Sequence, residues 1–321
     1  MNSNHLKSIF AAAAVCSSGL LAVAAPLKRA DVTTNPAWLL HLDCDALRPT
    51  IIGQYVLSEA DKPEAKAKLA AFQTIFQIDL RTQLHGVTVY SDNPSPEDGV
   101  LIIYADFDPA RLVTLAQAAK DYQSSEHGSV IIHSWIDEKK SSKDGVKPRT
   151  YAAINGKRVV FGQREDAVSR ALKVIAGSSP NLASVKNFSE LGVSGSNSFI
   201  EAAARKMKLP DSDPNAAILK MSQSLQLALG ESQQKLNARI TLVADSREVA
   251  TNVLSIVQGL VSLVKMQNDK PESIKVANAI SLAQEGDRVV ANLVLPASEA
   301  VEFMKADAAR KAALAEKASK E

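Results

Sequence analysis

The residues best suited to catalysis or metal binding are three polar side chains in the segment LLHLDCDALR (39–48). His41, Asp43 and Asp45 occupy every second position there, so on an extended strand they would project from the same face. Histidine and neighbouring carboxylates serve as general acids, bases and metal ligands. Two hypotheses follow: the segment is a site on a strand, or it is the point where a strand passes into a helix.

A second segment repeats the pattern. In IIYADFDPAR (102–111), Asp106 and Asp108 occupy the places that Asp43 and Asp45 hold in the first segment. The second aspartate of each copy stands where a helix should begin, and its carboxylate can accept hydrogen bonds from the first free backbone amides. We interpret these second aspartates mainly as helix caps, each contributing ~1 kcal/mol.

The alternative interpretation is a metal site. A split β-α-β sheet would often place its first and third strands side by side, which would gather four side chains at one sheet edge. An oxygen-rich cluster of this kind binds Ca²⁺ or Mg²⁺, or a transition metal if a histidine joins. The candidate ligands of this divalent metal ion are His41, Asp43, Asp106 and Asp108. Without such a site, we expect no cofactor and no catalytic residues.

The first 24 residues have the features of a secretory signal. An apolar, Ala-rich run extends from Ile9 to Val23, and Ala22-Val23-Ala24 places small residues where signal peptidase reads them. We therefore predict cleavage after Ala24 and a periplasmic or secreted protein. A lipoprotein would instead be cleaved and modified at Cys16. A membrane anchor would need about 20 apolar residues, and this run is shorter.

The composition excludes several other classes. The formal net charge of the 321 residues is +2, which gives no basic surface for nucleic acid. Cleavage after Ala24 would leave Cys44 as the remaining cysteine, expected to be buried and inert. The longest later apolar run, 253–266, is interrupted by polar residues, so we predict a well-buried helix and no transmembrane segment after signal cleavage.

The order of periodic segments predicts an α+β fold. Period-two alternation indicates strands and three-to-four spacing indicates helices. We expect strands at 38–44, 84–90, 99–107, 129–136, 151–154, 158–161, 198–204, 236–244, 280–283 and 288–295. We expect helices at 49–57, 63–77, 109–122, 165–176, 213–229, 246–266 and from 297 onward.

Two pairs of similar segments suggest an internal duplication. INGKRVVFG (154–162) is similar to QEGDRVVAN (284–292), and IIYADFDPA (102–110) is similar to TLVADSREV (241–249). We predict two tandem, diverged split β-α-β (ferredoxin-like) modules with helices packed on one sheet face. The expected division is a signal peptide at 1–24, a first module at 25–177, a linker at 178–186, a second module at 187–307 and a charged Ala/Lys-rich tail at 308–321.

Familiar catalytic motifs are missing from the sequence. We find no Gly-x-Ser-x-Gly elbow, HExxH, P-loop or dinucleotide fingerprint. His85, His127 and His133 show no spacing typical of metal ligands, and no nucleophile–base pair can be identified.

Three sequence segments resemble a known group of proteins. PAWLLHLD (36–43), FQIDLRTQLHGVTVY (76–90) and FGQREDAVSRAL (161–172) are similar to sequences in a family of uncharacterised exported proteins of Gram-negative bacteria. The resemblance covers most of residues 36–177 and implies export and a duplicated α+β architecture. It supplies no activity and no site residues.

Our leading hypothesis is an exported, non-enzymatic binding protein or structural envelope protein. Its partner would be an unknown protein or envelope component. The alternative is a metal-dependent hydrolase with an acidic site at the ends of the first and third strands.

Overall fold

The computed structural model describes residues 25–138, 147–189, 191, 198–205, 222–266 and 271–318. These residues have a mixed α+β fold with twelve strands. The strands are β1 (Trp38–Asp43), β2 (Leu84–Ser91), β3 (Val100–Ala105), β4 (Gln123–His127), β5 (Val130–Ile136), β6 (Arg149–Asn155), β7 (Arg158–Gly162), β8 (Ser198–Arg205), β9 (Ser222–Ser232), β10 (Lys235–Ala244), β11 (Ile280–Glu285) and β12 (Arg288–Pro296). They form one sheet in the order β11-β12-β10-β9-β8-β1-β2-β3-β7-β6-β5-β4.

Helices connect and cover these strands, and several begin at a side-chain cap. Thr50 accepts a hydrogen bond from the Gly53 amide, and Ser246 accepts one from the Val249 amide. The helices of the described segments are α1 (Cys44–Leu47), α2 (Ile51–Ala60), α3 (Pro63–Phe76), α4 (Leu80–Gln83), α5 (Pro109–Gln117), α6 (Glu165–Ile175), α7 (Arg247–Lys265), α8 (Pro271–Asn278) and α9 (Ala297–Ala318).

The sheet has two faces because successive side chains of a strand point to opposite sides. We name them after the helices that pack on them. On the α6 face, helix α6 covers a core that includes Leu39, Tyr90, Ile102, Ala153 and Val160. The α5 face carries the alternate residues, among them Leu40, Val89, Leu101, Val159 and Ala152.

Helices lie on both faces, so the expectation of helices on one face is wrong. Ile200 and Leu242 share the α5 face with Leu40. Helices α2 and α9 pack near Ile200, and α7 packs near Leu242. Helix α6 lies on the opposite face, where five of its residues are buried. The split β-α-β duplication is not confirmed by this arrangement.

Strand β1 lies at the centre of the sheet and joins its two parts. It pairs with β2 on one side and with β8 on the other, in both cases antiparallel. Strands β1 and β3 are therefore separated by β2 and are not the parallel neighbours that the sequence suggested. Every strand pair in the described sheet is antiparallel.

Two local predictions were wrong. The expected helix over 213–229 becomes strand β9 from Ser222 onward, and its residues 213–221 lie outside the described segments. Leu225, Leu227 and Leu229 alternate with smaller or polar residues, which is the strand period. The helix expected to reach residue 122 ends at Gln117, and the polar strand β4 follows it.

The segment expected to be a linker, 178–186, packs into the core of the α6 face. Leu182 within it is fully buried, and Asn181 forms an isolated bridge with Thr33. The guanidinium of Arg29 donates hydrogen bonds to five backbone carbonyls of this region, those of Leu182, Val185, Asn187, Phe188 and Leu191. This segment therefore ties the N-terminal residues to the middle of the chain.

Helix α7 is much less buried than we expected. Ala250 and Val253 are its buried residues, whereas Leu263 is 61% exposed and the following residue, Met266, is 75% exposed. By length and composition alone this helix could cross a membrane. Within the protein, 11% of its apolar 18-residue stretch is buried. The prediction of a well-buried helix is wrong.

Two helical glycines should respond oppositely to alanine. A Cβ at Gly53 would lie 1.9 Å from the Leu47 carbonyl oxygen, whereas one at Gly259 meets nothing within 4 Å. Gly53→Ala should lower the free energy of unfolding by roughly 3 kcal/mol through overpacking. Gly259→Ala should raise it by about 0.5–1 kcal/mol, because alanine favours the helix. Urea denaturation measures both, and equal effects would contradict the packing around Gly53.

Candidate functional site

His41 is buried inside the sheet and both of its ring nitrogens are engaged. Its Nδ1 lies 2.9 Å from the Thr88 hydroxyl, and its Nε2 lies 2.9 Å from the carbonyl oxygen of Ala25. The side chain is 1% exposed, and burial lowers its pKa below the ordinary value. The imidazole is therefore neutral at neutral pH and has no ring nitrogen left for a metal.

Asp43 caps helix α1, a role that we had assigned to Asp45. Its Oδ1 accepts hydrogen bonds from the Ala46 amide at 2.8 Å and from the Ala25 amide at 3.2 Å. Asp108 caps α5 through the Ala110 amide at 2.9 Å, so the prediction for that residue is confirmed.

Asp45 and Asp106, one from each repeated segment, meet at His85. Asp45 lies 2.9 Å from His85 Nδ1, and Asp106 lies 2.9 Å from His85 Nε2. Arg48 pairs with Asp45 and Lys157 pairs with Asp106. The two carboxylates therefore each have a cationic partner as well as one ring nitrogen of His85. We name these five residues the acid–histidine bridge.

The four candidate metal ligands therefore have separate partners. His41 and Asp43 hold Ala25, Asp106 belongs to the acid–histidine bridge, and Asp108 caps a helix. In the described part of the chain, no three His, Cys, Asp or Glu side chains are placed to hold a metal ion. The geometry does not support the cluster that the repeated aspartates suggested.

A serine–histidine–glutamate contact went unnoticed in the sequence. His127 Nδ1 lies 3.1 Å from the Ser169 hydroxyl, and His127 Nε2 lies 3.2 Å from Glu165. The signal that could have revealed it is the four-residue spacing of Glu165 and Ser169 on α6. Ser169 lies within α6, where its backbone amide serves the helix and cannot also stabilise an oxyanion. We interpret the contact as a link between the β4–β5 hairpin and α6.

Cys44, which we expected to be buried, is half-buried at the start of α1. Burial raises the pKa of its thiol to about 11, with smaller effects from Arg48 and the neighbouring aspartates. The thiol is therefore protonated at neutral pH, and the thiolate is the reactive form.

An apolar cavity of about 380 Å³ lies between α5 and the α5 face of the sheet. Helix α3 closes one side of it through Phe76. The lining residues are Phe76, Leu112, Leu115, Ala116, Ala119, His133, Trp135, Ala152, Ile154, Val159 and Phe161. We name it the α5 cavity. All of these eleven residues except His133 are apolar, so hydrophobic contacts would dominate the binding of a ligand in the cavity.

His133 provides the polar lining of the α5 cavity. Its Nδ1 lies 2.9 Å from the hydroxyl of Tyr122, and the two rings are stacked at a centroid distance of 6.0 Å. Burial lowers the pKa of His133, so its imidazole is neutral at neutral pH. Its Nε2 is the remaining ring nitrogen that could meet a polar group of a ligand.

A second cavity of about 420 Å³ adjoins the first on the same sheet face. Phe161 lines both, and the second is also lined by Trp38, Val89, Leu101 and Ile103. These side chains come from β1, β2, β3 and β7, so the apolar surface continues from the α5 cavity towards the sheet centre.

Comparisons with known proteins give little further information. No protein-family model and no curated protein matches the chain. Crystal forms III, I and IV of TP0453 are similar in structure at 12, 11 and 13% identity, with TM-scores of 0.46, 0.46 and 0.44. They cover 88, 87 and 88% of this chain and 98, 96 and 97% of the TP0453 chains.

The acid–histidine bridge should stabilise the protein near neutral pH and lose that contribution in acid. Lys157 and then His85 hold the pKa of Asp106 below its ordinary value. Its stabilising contribution is therefore complete above the unfolded pKa of about 3.9 and is lost as the pH falls through the lower folded pKa. Asp106→Asn should make the loss of stability below about pH 4 less steep.

The effect at pH 7 should be below about 1 kcal/mol, because Asp106 is 39% exposed and its ion pairs are screened by solvent. Urea unfolding at pH 2.5, 4 and 7 measures this. Asp245→Asn, which removes an exposed carboxylate after β10, is the matched control. Identical pH profiles for the two variants would contradict the bridge.

Proposed function

We propose that this protein is an exported, non-enzymatic binding protein whose ligand carries an acyl chain. The observation that carries the proposal is the α5 cavity, whose volume of about 380 Å³ and apolar lining lie in the range typical of small-molecule sites. Burial of an acyl chain there would be favourable by about 25 cal/mol for each Å² of apolar surface removed from water.

The polar lining of the α5 cavity supports a ligand with one polar end. His133 is neutral and presents one unengaged ring nitrogen to hydrogen bonding, next to the Tyr122 hydroxyl. A hydroxyl or a protonated carboxyl group would satisfy that nitrogen, whereas a carboxylate would lose hydration without gaining a counter-charge. We therefore favour ligands whose polar end is uncharged.

Export is the second part of the proposal and is supported by the signal features of residues 1–24. Acyl chains are poorly soluble in water, so in the periplasm or outside the cell they need either a membrane or a protein cavity. The chain offers no case for nucleic-acid binding. A protein or envelope component as a further partner is compatible with this role.

We also propose that the two parts of the sheet derive from one duplicated unit. Both contain a strand, a helix, a hairpin and a second helix in the same order. These are β3, α5, β6–β7 and α6 in one, with β4 and β5 inserted before the hairpin, and β10, α7, β11–β12 and α9 in the other, with α8 inserted before it. The sheet orders β3-β7-β6 and β10-β12-β11 match, which supports the similarity seen in the sequence.

Filling the α5 cavity should abolish ligand binding. Trp135 lies in its wall, so in a Trp38→Phe background a chain-brominated fatty alcohol should quench tryptophan fluorescence by contact. Ala116→Phe places a large ring inside the cavity, and we expect the affinity to fall at least tenfold. Ala118→Phe, at an exposed position just after α5, is the matched control and should bind normally.

Other outcomes would point elsewhere. No saturable quenching in the Trp38→Phe protein would overturn the proposal, and quenching confined to Trp38 in a Trp135→Phe protein would move the site to the adjoining cavity. The hydrolase hypothesis predicts stoichiometric metal in protein purified without chelators. Loss of that metal in Asp43→Ala/Asp106→Ala, measured by elemental analysis, would favour it.

A further inference from the structure

Both backbone polar groups of Ala25 are held by buried side chains of β1. The Ala25 nitrogen lies 3.2 Å from Asp43 Oδ1, and its carbonyl oxygen lies 2.9 Å from His41 Nε2. Asp43 is 2% exposed and His41 is 1% exposed. Ala25 lies near the N-terminal end of the chain, and the ends of most domains are poorly ordered unless tied down.

The neighbouring strand leaves room for this residue. Gly86 pairs with Asp43 across the β1–β2 ladder. A Cβ placed on Gly86 would lie 3.5 Å from both the Cβ and the carbonyl oxygen of Ala25, and 3.1 Å from the Leu42 carbonyl oxygen. Ala25 therefore packs against Gly86 at ordinary contact distance, and a Cβ at position 86 would be tight only against the Leu42 carbonyl.

We propose that the chain is cut between Ala24 and Ala25, and that Asp43 is the built-in acceptor for the α-ammonium group that the cut creates. In the reaction, water adds to the Ala24–Ala25 amide and the C–N bond breaks. Ala24 leaves as a carboxylate, and the Ala25 amine takes up the proton. This inference does not depend on what the α5 cavity binds.

Cleavage would change the partner of Asp43 from a neutral donor to a charged one. In the uncut chain the Ala25 nitrogen is an amide with one N–H. In the cut chain it is an ammonium with three, and charge-assisted hydrogen bonds are roughly twice as strong as neutral ones. A buried carboxylate gains most from such a partner, because a buried charge is costly unless it is paired.

The ion pair makes stability depend on pH with a defined sign. An α-amino group has a pKa of about 7.7–8.0 in an unfolded chain, and Asp43 would raise it in the folded protein. The contribution is therefore complete below about pH 7.7 and is lost as the pH rises through the raised folded value. The titratable and charged side chains near this point are His41, Cys44, Lys28, Asp45 and Arg48.

The first test determines the N-terminus. The full chain is exported in a Gram-negative host, and the mature protein is analysed by intact mass and N-terminal sequencing. We expect it to begin at Ala25. A chain that begins elsewhere, including one lipid-modified at Cys16, would overturn the proposal.

The second test compares a chain that starts at Ala25 with one that carries Gly-Ser before Ala25. The chain with the free Ala25 amine should unfold about 2–4 °C higher at pH 6.5, and the difference should shrink towards zero as the pH rises to 10. Equal unfolding temperatures at pH 6.5, or a difference that does not change with pH, would refute the ion pair.

Asp43→Asn identifies the acceptor, since asparagine is isosteric and still caps a helix. In this variant the two chain starts should unfold alike at every pH. Asp108→Asn, which alters the equivalent cap of α5, is the matched control and should keep the difference. If Asp43→Asn also keeps it, Asp43 is not the acceptor. If that variant does not fold, the comparison of the two chain starts decides the question.

Discussion

The whole fold depends on β1 being paired on both edges while its polar side chains point into the protein. Through β2 and β8 this strand joins six strands on one side of the sheet to five on the other. His41 lies opposite Thr88 on one neighbour and Glu201 on the other, and all three are buried. Buried polar groups are tolerated when they are hydrogen-bonded, so the N-terminal residues that satisfy His41 and Asp43 are part of the sheet's central support.

Strands could be predicted from the sequence where the alternation of apolar residues matched the burial of those residues in the fold. The alternation in 38–44 and 84–90 and the expected strands at 151–154 and 158–161 are present, and the last two pair as a hairpin. Strand β4 could not be found in this way, because Gln123–His127 lies at a sheet edge and has no apolar face to alternate. Strand β9 was misread because its leucines and alanines also favour helix.

The candidate site shows what spacing cannot reveal. Asp43 and Asp106 occupy equivalent places in the two repeated segments, yet one caps a helix and the other pairs with His85 and Lys157. The cap partner of Asp43 is three residues away, whereas the partners of Asp106 are 21 and 51 residues away and are brought near by the sheet. The rule that aspartate caps helix starts was sound, but the cap is the second aspartate in one segment, Asp108, and the first in the other, Asp43.

The α5 cavity exists because helix α5 ends at Gln117, earlier than the sequence predicts. Helix α5 has nine residues, Pro109–Gln117, and spans about 14 Å at 1.5 Å per residue. The seven-residue strand β5 extends for about 23 Å at 3.3 Å per residue, so the helix is too short to cover the strands beneath it. Because the chain leaves the helix early, Tyr122 reaches His133 and β4 can pair with β5. Trp135, Ala152 and Ile154 are left facing a space that the described residues do not fill.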